Sequence, residues 1–180
     1  MSERTQVPRV VVASLGAGAG KTTVALGLVG AMRRRGRTVQ TFKVGPDFVD
    51  SAYLAHASRR PCRNLDSWML GRDGVSHSFT HGVAGADCAV VEGTMGVFDG
   101  HGTPTDAGDV PRFPGSTAEL ARLTGAPVVL VIDVGSTAET AAALALGVRR
   151  LDPQLDVIGV VLNNVPSEYP RRAVEDAVWR

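Results

Sequence analysis

The sequence predicts an α/β fold: a parallel β-sheet with helices on both faces. Three observations predict it. Short apolar runs that stop at a polar residue recur at Val10–Ala13, Cys88–Glu92, Pro127–Asp133 and Val157–Asn163, as in strands buried on both faces. Segments with apolar residues at helical spacing separate them, and such alternation builds parallel sheets. The residues able to do chemistry, Lys21, Lys43, Glu92, Asp133 and Asn163, all fall at the carboxyl ends of predicted strands, where these sheets bind ligands.

The first strand is Arg9–Ser14. It runs into Ser14-Leu15-Gly16-Ala17-Gly18-Ala19-Gly20-Lys21-Thr22-Thr23. A helix over Lys21–Arg35 follows, with Val24, Leu28 and Met32 on one face and Gly36 as its stop. Strand, glycine loop, Lys-Thr and helix together are the context of a phosphate-binding loop, so the sheet is expected to be P-loop NTPase-like. Gly16, Gly18 and Gly20 let backbone N–H groups converge on phosphate oxygens. The helix aims its positive end at the same anion. Lys21 is placed to neutralise the β- and γ-phosphates and Thr22 to offer its hydroxyl to Mg²⁺, with Thr23 completing the Gly-Lys-Thr-Thr run. The strict pattern has glycine where this chain has Leu15, so the loop opens one residue earlier, at Ser14. A dinucleotide fingerprint fails because position 21 is not glycine. The chain is expected to bind a nucleoside triphosphate.

Thr38–Phe42 is the second strand, followed by Lys43-Val44-Gly45-Pro46-Asp47-Phe48-Val49-Asp50 and a short helix over Ser51–Ser58. A lysine and two carboxylates beyond a strand end suit phosphate and Mg²⁺, with Asp47 as the metal-ligand candidate. Helix capping is the alternative for both Asp47 and Asp50. Arg72–Val83 is helical, and Cys88–Glu92 is a buried strand. Glu92 ends it where a metal-ordering carboxylate belongs, although Glu-Gly also makes ordinary turns. Gly93 and Gly96 allow close backbone approach to a ligand, and Asp99 lies farther out, toward a substrate. Gly93–Gly115 is a glycine- and proline-rich loop, either a lid or a plain surface loop. Ser116–Thr124 is a helix with Ser116 and Glu119 in capping-box spacing. Pro127–Asp133 is a strand, Thr137–Arg150 a helix, Val157–Asn163 a strand and Tyr169–Arg180 a helix. The helical pattern reaches the last residue, so a longer polypeptide is expected.

Composition narrows the classes. At 180 residues the chain makes one well-buried domain, residues 1–180. A formal net charge of +1 argues against a nucleic-acid or membrane surface. Arg33, Arg34, Arg35 and Arg37 close the first helix, where they suit its negative end and are solvated. The most apolar stretch, Pro127–Ile132, stops at Asp133 and is far short of a membrane span. Met1–Gln6 lacks a signal-peptide core. Cys62 and Cys88 form no C-x-x-C pair, so a reducing cytoplasm is expected. His56, His77, His81 and His101 have no metal-ligand spacing; His77 and His81 share a helix face as surface residues.

Several runs resemble a known family. They are Gly45-Pro46-Asp47-Phe48-Val49-Asp50, Arg60-Pro61-Cys62-Arg63-Asn64-Leu65-Asp66-Ser67-Trp68-Met69-Leu70, Val91-Glu92-Gly93-Thr94-Met95-Gly96-Val97-Phe98-Asp99-Gly100 and Gly115-Ser116-Thr117-Ala118-Glu119-Leu120-Ala121. In order, and over nearly the whole chain, they resemble the cobyrinic acid a,c-diamide synthase family. Pro46-Asp47-Phe48 separates the chain from cobyric acid synthase, where Gln-Asn-Met is expected. The resemblance implies ATP- and Mg²⁺-dependent amidation of corrinoid carboxylates, cobyrinic or hydrogenobyrinic acid, in cobalamin synthesis. Carried over by position, Lys21 and Thr22 serve phosphate and metal, Asp47 and Glu92 resemble metal ligands, and Asp99 a residue near the substrate carboxylate. Asn163 sits where dethiobiotin-synthetase-like relatives read adenine, with a turn cap as the alternative.

The family carries a glutaminase half with a cysteine on a strand-to-helix elbow. Neither Cys62 nor Cys88 has that context, so a glutaminase domain is expected to be absent from these residues. Nitrogen is then expected from ammonia, a separate glutaminase chain or the other half of a longer protein. The family pattern also has histidine after Tyr53 and glycine before Arg60, where this chain has Leu54 and Arg59. Two alternatives stand beside this reading: a dethiobiotin-synthetase-like ligase on another carboxylate or carbamate, and a non-catalytic nucleotide-binding subunit of the partition-ATPase type. The Asn64–Leu70 run argues against the first. Gly16, where a partition ATPase has lysine, argues against the second. The sequence carries no signal of oligomeric state, and a homodimer is left open.

Overall fold

The computed structural model describes residues 7–101 and 113–179. In chain order the elements are β1 (Arg9–Ser14), α1 (Lys21–Arg34), β2 (Val39–Val44), α2 (Val49–Ser58), β3 (Arg63–Leu65), α3 (Ser67–Gly82), β4 (Cys88–Glu92), α4 (Thr117–Thr124), β5 (Val128–Asp133), α5 (Thr140–Leu151), β6 (Val157–Asn163) and α6 (Glu168–Trp179). The strands form one sheet in the order β3-β2-β4-β1-β5-β6, and every pairing is parallel. The expected α/β, P-loop NTPase-like architecture is what the chain adopts.

Alternation along each strand feeds two cores. Val11 and Ala13 join Phe42, Val44, Val91 and Leu130 under α3, α4 and α5. Val12 joins Val39, Val90 and Val131 under α1 and α2, through Ala25, Val29 and Leu54. Period-two alternation sends neighbouring residues to opposite faces, which is why both faces of these strands are apolar. The register aligns strand ends: Lys43 pairs with Glu92, and Val12 pairs with Glu92 across the other edge of β4. Ser14, Lys43 and Glu92 therefore share one rim.

The structure corrects several expected boundaries. β3 was not expected: it is a three-residue edge strand with a polar sequence, fixed by its pairing to β2 more than by its own pattern. Helix α2 starts at Val49, two residues before the expected Ser51. Helix α3 starts at Ser67, not Arg72. Gly71 departs from helical backbone (φ 64°, ψ 174°), so the periodic stretch begins after it while a separate turn precedes it. Helix α5 starts at Thr140, not Thr137, with no side-chain cap. The capping box is half made: the Glu119 N–H donates to Ser116 Oγ, while the Glu119 carboxylate accepts from the Gly115 N–H and the Ser67 hydroxyl.

The two family departures have structural correlates. Leu54 is fully buried in the core beneath α2. Arg59 caps α2 in the left-handed conformation (φ 56°), a backbone that favours the expected glycine. His77 and His81 stack at 6.3 Å on an exposed face, and Arg34, Arg35 and Arg37 are exposed as expected. Three expectations fall on residues outside the described ones: the reading of residues 1–6, the middle of the Gly93–Gly115 loop (102–112) with its lid role, and the last residue of the sixth helix.

Candidate functional site

The glycine loop leaves β1 at Ser14, which is fully buried. Gly18 and Gly20 take positive φ, 79° and 91°. Gly20 is the N-cap of α1, with no side-chain cap bond and no acidic residue in the first turn. The first N–H groups of α1 thus lack the partners that usually satisfy a helix start, as an anion site requires. Lys21 folds back over the loop: its Nζ donates to Ser14 Oγ at 2.8 Å, the Gly16 carbonyl at 3.1 Å and the Met95 carbonyl at 2.8 Å. Burial, and then the charge of Lys43, pushes the Lys21 pKa below its ordinary value, against Glu92, Asp50 and Asp99.

Beside the loop lies a buried polar junction. The Thr22 hydroxyl donates to Glu92 Oε1 at 2.5 Å. Lys43 Nζ donates to the same Oε1 at 3.2 Å and to the Gly93 carbonyl at 2.9 Å, and pairs with Asp50 Oδ2 at 3.0 Å. Lys43 is 2% exposed and Glu92 0%. Burial raises the Glu92 pKa, and the Thr22 hydrogen bond and the Lys43 charge pull it back. The other carboxylate oxygen, Oε2, is buried without a hydrogen-bond partner. A buried acceptor left unpaired is costly, so this oxygen is the atom most in need of a ligand.

The two aspartates after β2 divide their roles. Asp47 Oδ1 accepts the Asp50 N–H at 2.9 Å, the capping interaction, while Asp50 reaches Lys43. The segment is tied down by Asn64, whose amide donates to the Gly45 and Asp47 carbonyls at 2.7 and 2.9 Å. Sequence reasoning gave Asn64 no role. Its only signal was membership of the specific Asn-Leu-Asp-Ser-Trp-Met-Leu run. The Met95 carbonyl on Lys21 was also missed, because backbone partners leave no residue-type signature.

Asp99 is exposed, and its Oδ2 accepts the Gly96 N–H at 2.8 Å. It stands on the loop after β4, outside the Thr22–Glu92–Lys43 junction. Gly93 is required by space: a Cβ there would lie 2.7 Å from Thr117 Cγ2 and 3.2 Å from the Val12 carbonyl. Asn163 meets the loop from β6, its amide donating to the Ala19 carbonyl at 2.9 Å. Asp133 holds the Gly135 N–H and the Asn164 amide, which lower its pKa. The structure thus brings Lys21, Thr22, Lys43 and Glu92 together, sets Asn163 against the loop, and leaves Asp47 and Asp99 at the periphery. Among the described residues, no group of three or more His, Cys, Asp or Glu forms a metal cluster.

The family profile described as the CobQ/CobB/MinD/ParA nucleotide binding domain matches residues 10–178. The chain belongs to that family. Among individual relatives, it is 45% identical over 172 residues to a cobyrinate a,c-diamide synthase of Dehalococcoides mccartyi (strain CBDB1), covering 93% of this chain and 36% of the relative. It is 49% identical over 160 residues to the protein of that name from Syntrophotalea carbinolica, covering 89% and 33%. It is 46% identical over 172 residues to a hydrogenobyrinate a,c-diamide synthase of Mycobacterium tuberculosis (strain ATCC 25618 / H37Rv), covering 96% and 37%. The chain therefore spans about a third of the length of these curated relatives. Solved structures bear on the fold alone. The Signal Recognition Particle 54 kDa protein from Aeropyrum pernix K1, in complex with GDP, superposes with a TM-score of 0.61 at 22% identity, covering 98% of this chain and 40% of that one. The kinase domain of the Escherichia coli tyrosine kinase ETK gives 0.56 at 15% identity, covering 92% and 71%.

Proposed function

We propose that residues 1–180 act as the ATP-binding synthetase domain of a corrinoid amide synthase, amidating carboxylates of cobyrinic or hydrogenobyrinic acid in cobalamin synthesis. The observation that carries this is the buried Thr22–Glu92–Lys43 junction beside an uncapped phosphate loop, with the Glu92 Oε2 atom unpartnered. The relatives named as a,c-diamide synthases supply the substrate class.

The residues fit Mg²⁺. That ion takes one or two carboxylates with phosphate and water oxygens, and Glu92 Oε2 and Thr22 Oγ1 are hard oxygen donors of this kind; Asp47 is a further candidate. When bound, the ion supplies positive charge at the phosphate oxygens. The N–H groups of Gly16, Gly18 and Gly20 cradle the phosphates, and Lys21 moves from the Met95 carbonyl onto the transferring phosphoryl group. The Lys43 charge favours the ionised form of Glu92 against the burial that disfavours it. Asn163 reads the adenine edge, and Asp99 orients the substrate carboxylate.

The substrate carboxylate oxygen attacks the γ-phosphorus, the bond to ADP breaks, and an acyl phosphate forms. Ammonia then attacks the acyl carbon, phosphate leaves and a proton is lost, giving the amide. Nitrogen arrives as free ammonia or from a glutaminase domain or chain. The two free, half-buried cysteines, Cys62 and Cys88, support a reducing compartment such as the cytoplasm. Among the described residues, no helix is long and apolar enough to cross a membrane.

The test is phosphate release from Mg-ATP with ammonium, with and without the corrinoid acid, followed by product mass. Corrinoid-dependent release with amidated product, lost in Lys21→Ala, is expected. Turnover unaffected by Lys21→Ala would overturn the phosphate-loop assignment, and ATP binding without corrinoid-dependent release would overturn the substrate assignment.

A further inference from the structure

Exposed apolar surface is concentrated beside the proposed active site. Of the eleven large hydrophobic side chains exposed among the described residues, seven lie on segments leaving the carboxyl ends of three adjacent strands. Phe48, Val49 and Tyr53 follow β2, Trp68, Met69 and Leu70 follow β3, and Met95 follows β4. Phe48, Trp68 and Met69 are 83%, 73% and 69% exposed. Clustered apolar exposure of this kind marks a binding surface.

The turn that presents Trp68 is built rigidly. Buried Asp66 accepts the Trp68 and Met69 N–H groups at 2.9 and 3.2 Å. The Ser67 hydroxyl donates at 2.5 Å to Glu119, which is also buried. Gly71 then leaves helical backbone, which separates this turn from the rest of α3. Two buried carboxylates thus fix a single turn whose outward side chains remain in solvent. Trp68 contacts the His101 ring, 6.0 Å between centroids, which extends the aromatic surface toward the loop that carries Asp99.

We propose that Trp68 and Met69 form the platform for one face of the corrinoid macrocycle. This rests on the substrate reading given above and adds the surface that holds the ring. An aromatic plane and an adaptable thioether match a broad, apolar ring face. Position argues for the ring over a polypeptide. The ends of β3 and β4 are two inter-strand spacings apart, about 10 Å, so a ring on Trp68 extends a carboxylate arm toward the rim where Lys43, Asp50 and Glu92 meet. Asn64, by binding both the Gly45 and Asp47 carbonyls, locks that rim to the strand bearing the platform. A polypeptide laid over the same surface would cover the approach to the phosphoryl-transfer site.

The experiment titrates the full-length protein with hydrogenobyrinic acid, followed by the visible absorbance of the corrin, for wild type, Trp68→Ala and Trp68→Phe. Mg-ATP affinity and thermal unfolding are measured in parallel. Trp68→Ala is expected to weaken corrinoid affinity about tenfold, with Trp68→Phe recovering most of it, as loss and retention of an aromatic contact predict. ATP affinity and melting temperature stay unchanged. Wild-type binding of corrinoid with equal affinity in Trp68→Ala overturns the platform alone. A change in self-association without a change in corrinoid affinity also overturns it, and assigns the surface to a contact between copies of the chain. A change in melting temperature alone overturns it in favour of a packing role for Trp68. Failure of the wild type to bind corrinoid overturns the substrate reading, and the platform with it.

Discussion

Replacing Gly20 with alanine probes how the phosphate loop is fitted to the last strand. Gly20 has φ 91°, and a Cβ there would lie 2.2 Å from Asn163 Nδ2. Two costs combine. Left-handed backbone costs a residue with a Cβ about 1–2 kcal/mol. The Asn163 amide must also swing away from the Ala19 carbonyl, losing a hydrogen bond of about 1 kcal/mol. Gly20→Ala should therefore destabilise the fold by about 2–3 kcal/mol, a drop of roughly 5–10 °C in melting temperature for a domain of this size. Gly18 provides the contrast: its φ is 79° with nothing within 4 Å of a Cβ, so Gly18→Ala should cost only the backbone strain, about 1–2 kcal/mol. Urea unfolding of Gly20→Ala, Asn163→Ala and the double variant separates the two costs. With Asn163 truncated, the Gly20→Ala penalty should fall by about 1 kcal/mol. Strict additivity, or a Gly18→Ala cost as large as that of Gly20→Ala, would refute the fitted contact.

Two further perturbations test other parts of the account. Arg59→Gly relieves left-handed backbone at the end of α2 and should stabilise the chain by about 0.5–1 kcal/mol, read as a rise in melting temperature; a fall would contradict it. Lys43→Met removes the cation that faces buried Glu92. Burial raises the Glu92 pKa above its ordinary 4.5, so the stability linked to its protonation is full below that value and is lost as pH rises through the folded-state pKa. Without Lys43 that loss deepens. The Lys43→Met penalty should be small below pH 4.5 and grow to about 3–5 kcal/mol near neutrality. Urea unfolding across that range measures it, and a pH-independent penalty would count against the buried pair.

Much of this site was legible because it is written locally. Strand, glycines and Gly-Lys-Thr-Thr are contiguous, and the apolar runs place Glu92 and Asn163 at strand ends without knowledge of strand order. What was not legible depends on distant partners. β3 is too short and polar to show a period, and exists through its pairing to β2. The turn before Gly71 hides because its outward residues are apolar yet exposed, the reverse of a core pattern. The division of labour between Asp47 and Asp50 was open because both are carboxylates near a helix start. Only the reach of Lys43, set by the β2–β4 register, decides which one it pairs with.

The central claim is that a corrinoid carboxylate is activated by phosphorylation at this rim. The most direct measurement uses corrinoid acid carrying heavy oxygen in its carboxylates, turned over with Mg-ATP and ammonium, with the released phosphate examined by phosphorus NMR. An acyl phosphate pathway transfers one labelled oxygen to phosphate for each amide formed, and the account predicts that transfer, with loss of all turnover in Lys21→Ala. Amide formation that leaves the phosphate unlabelled would contradict it.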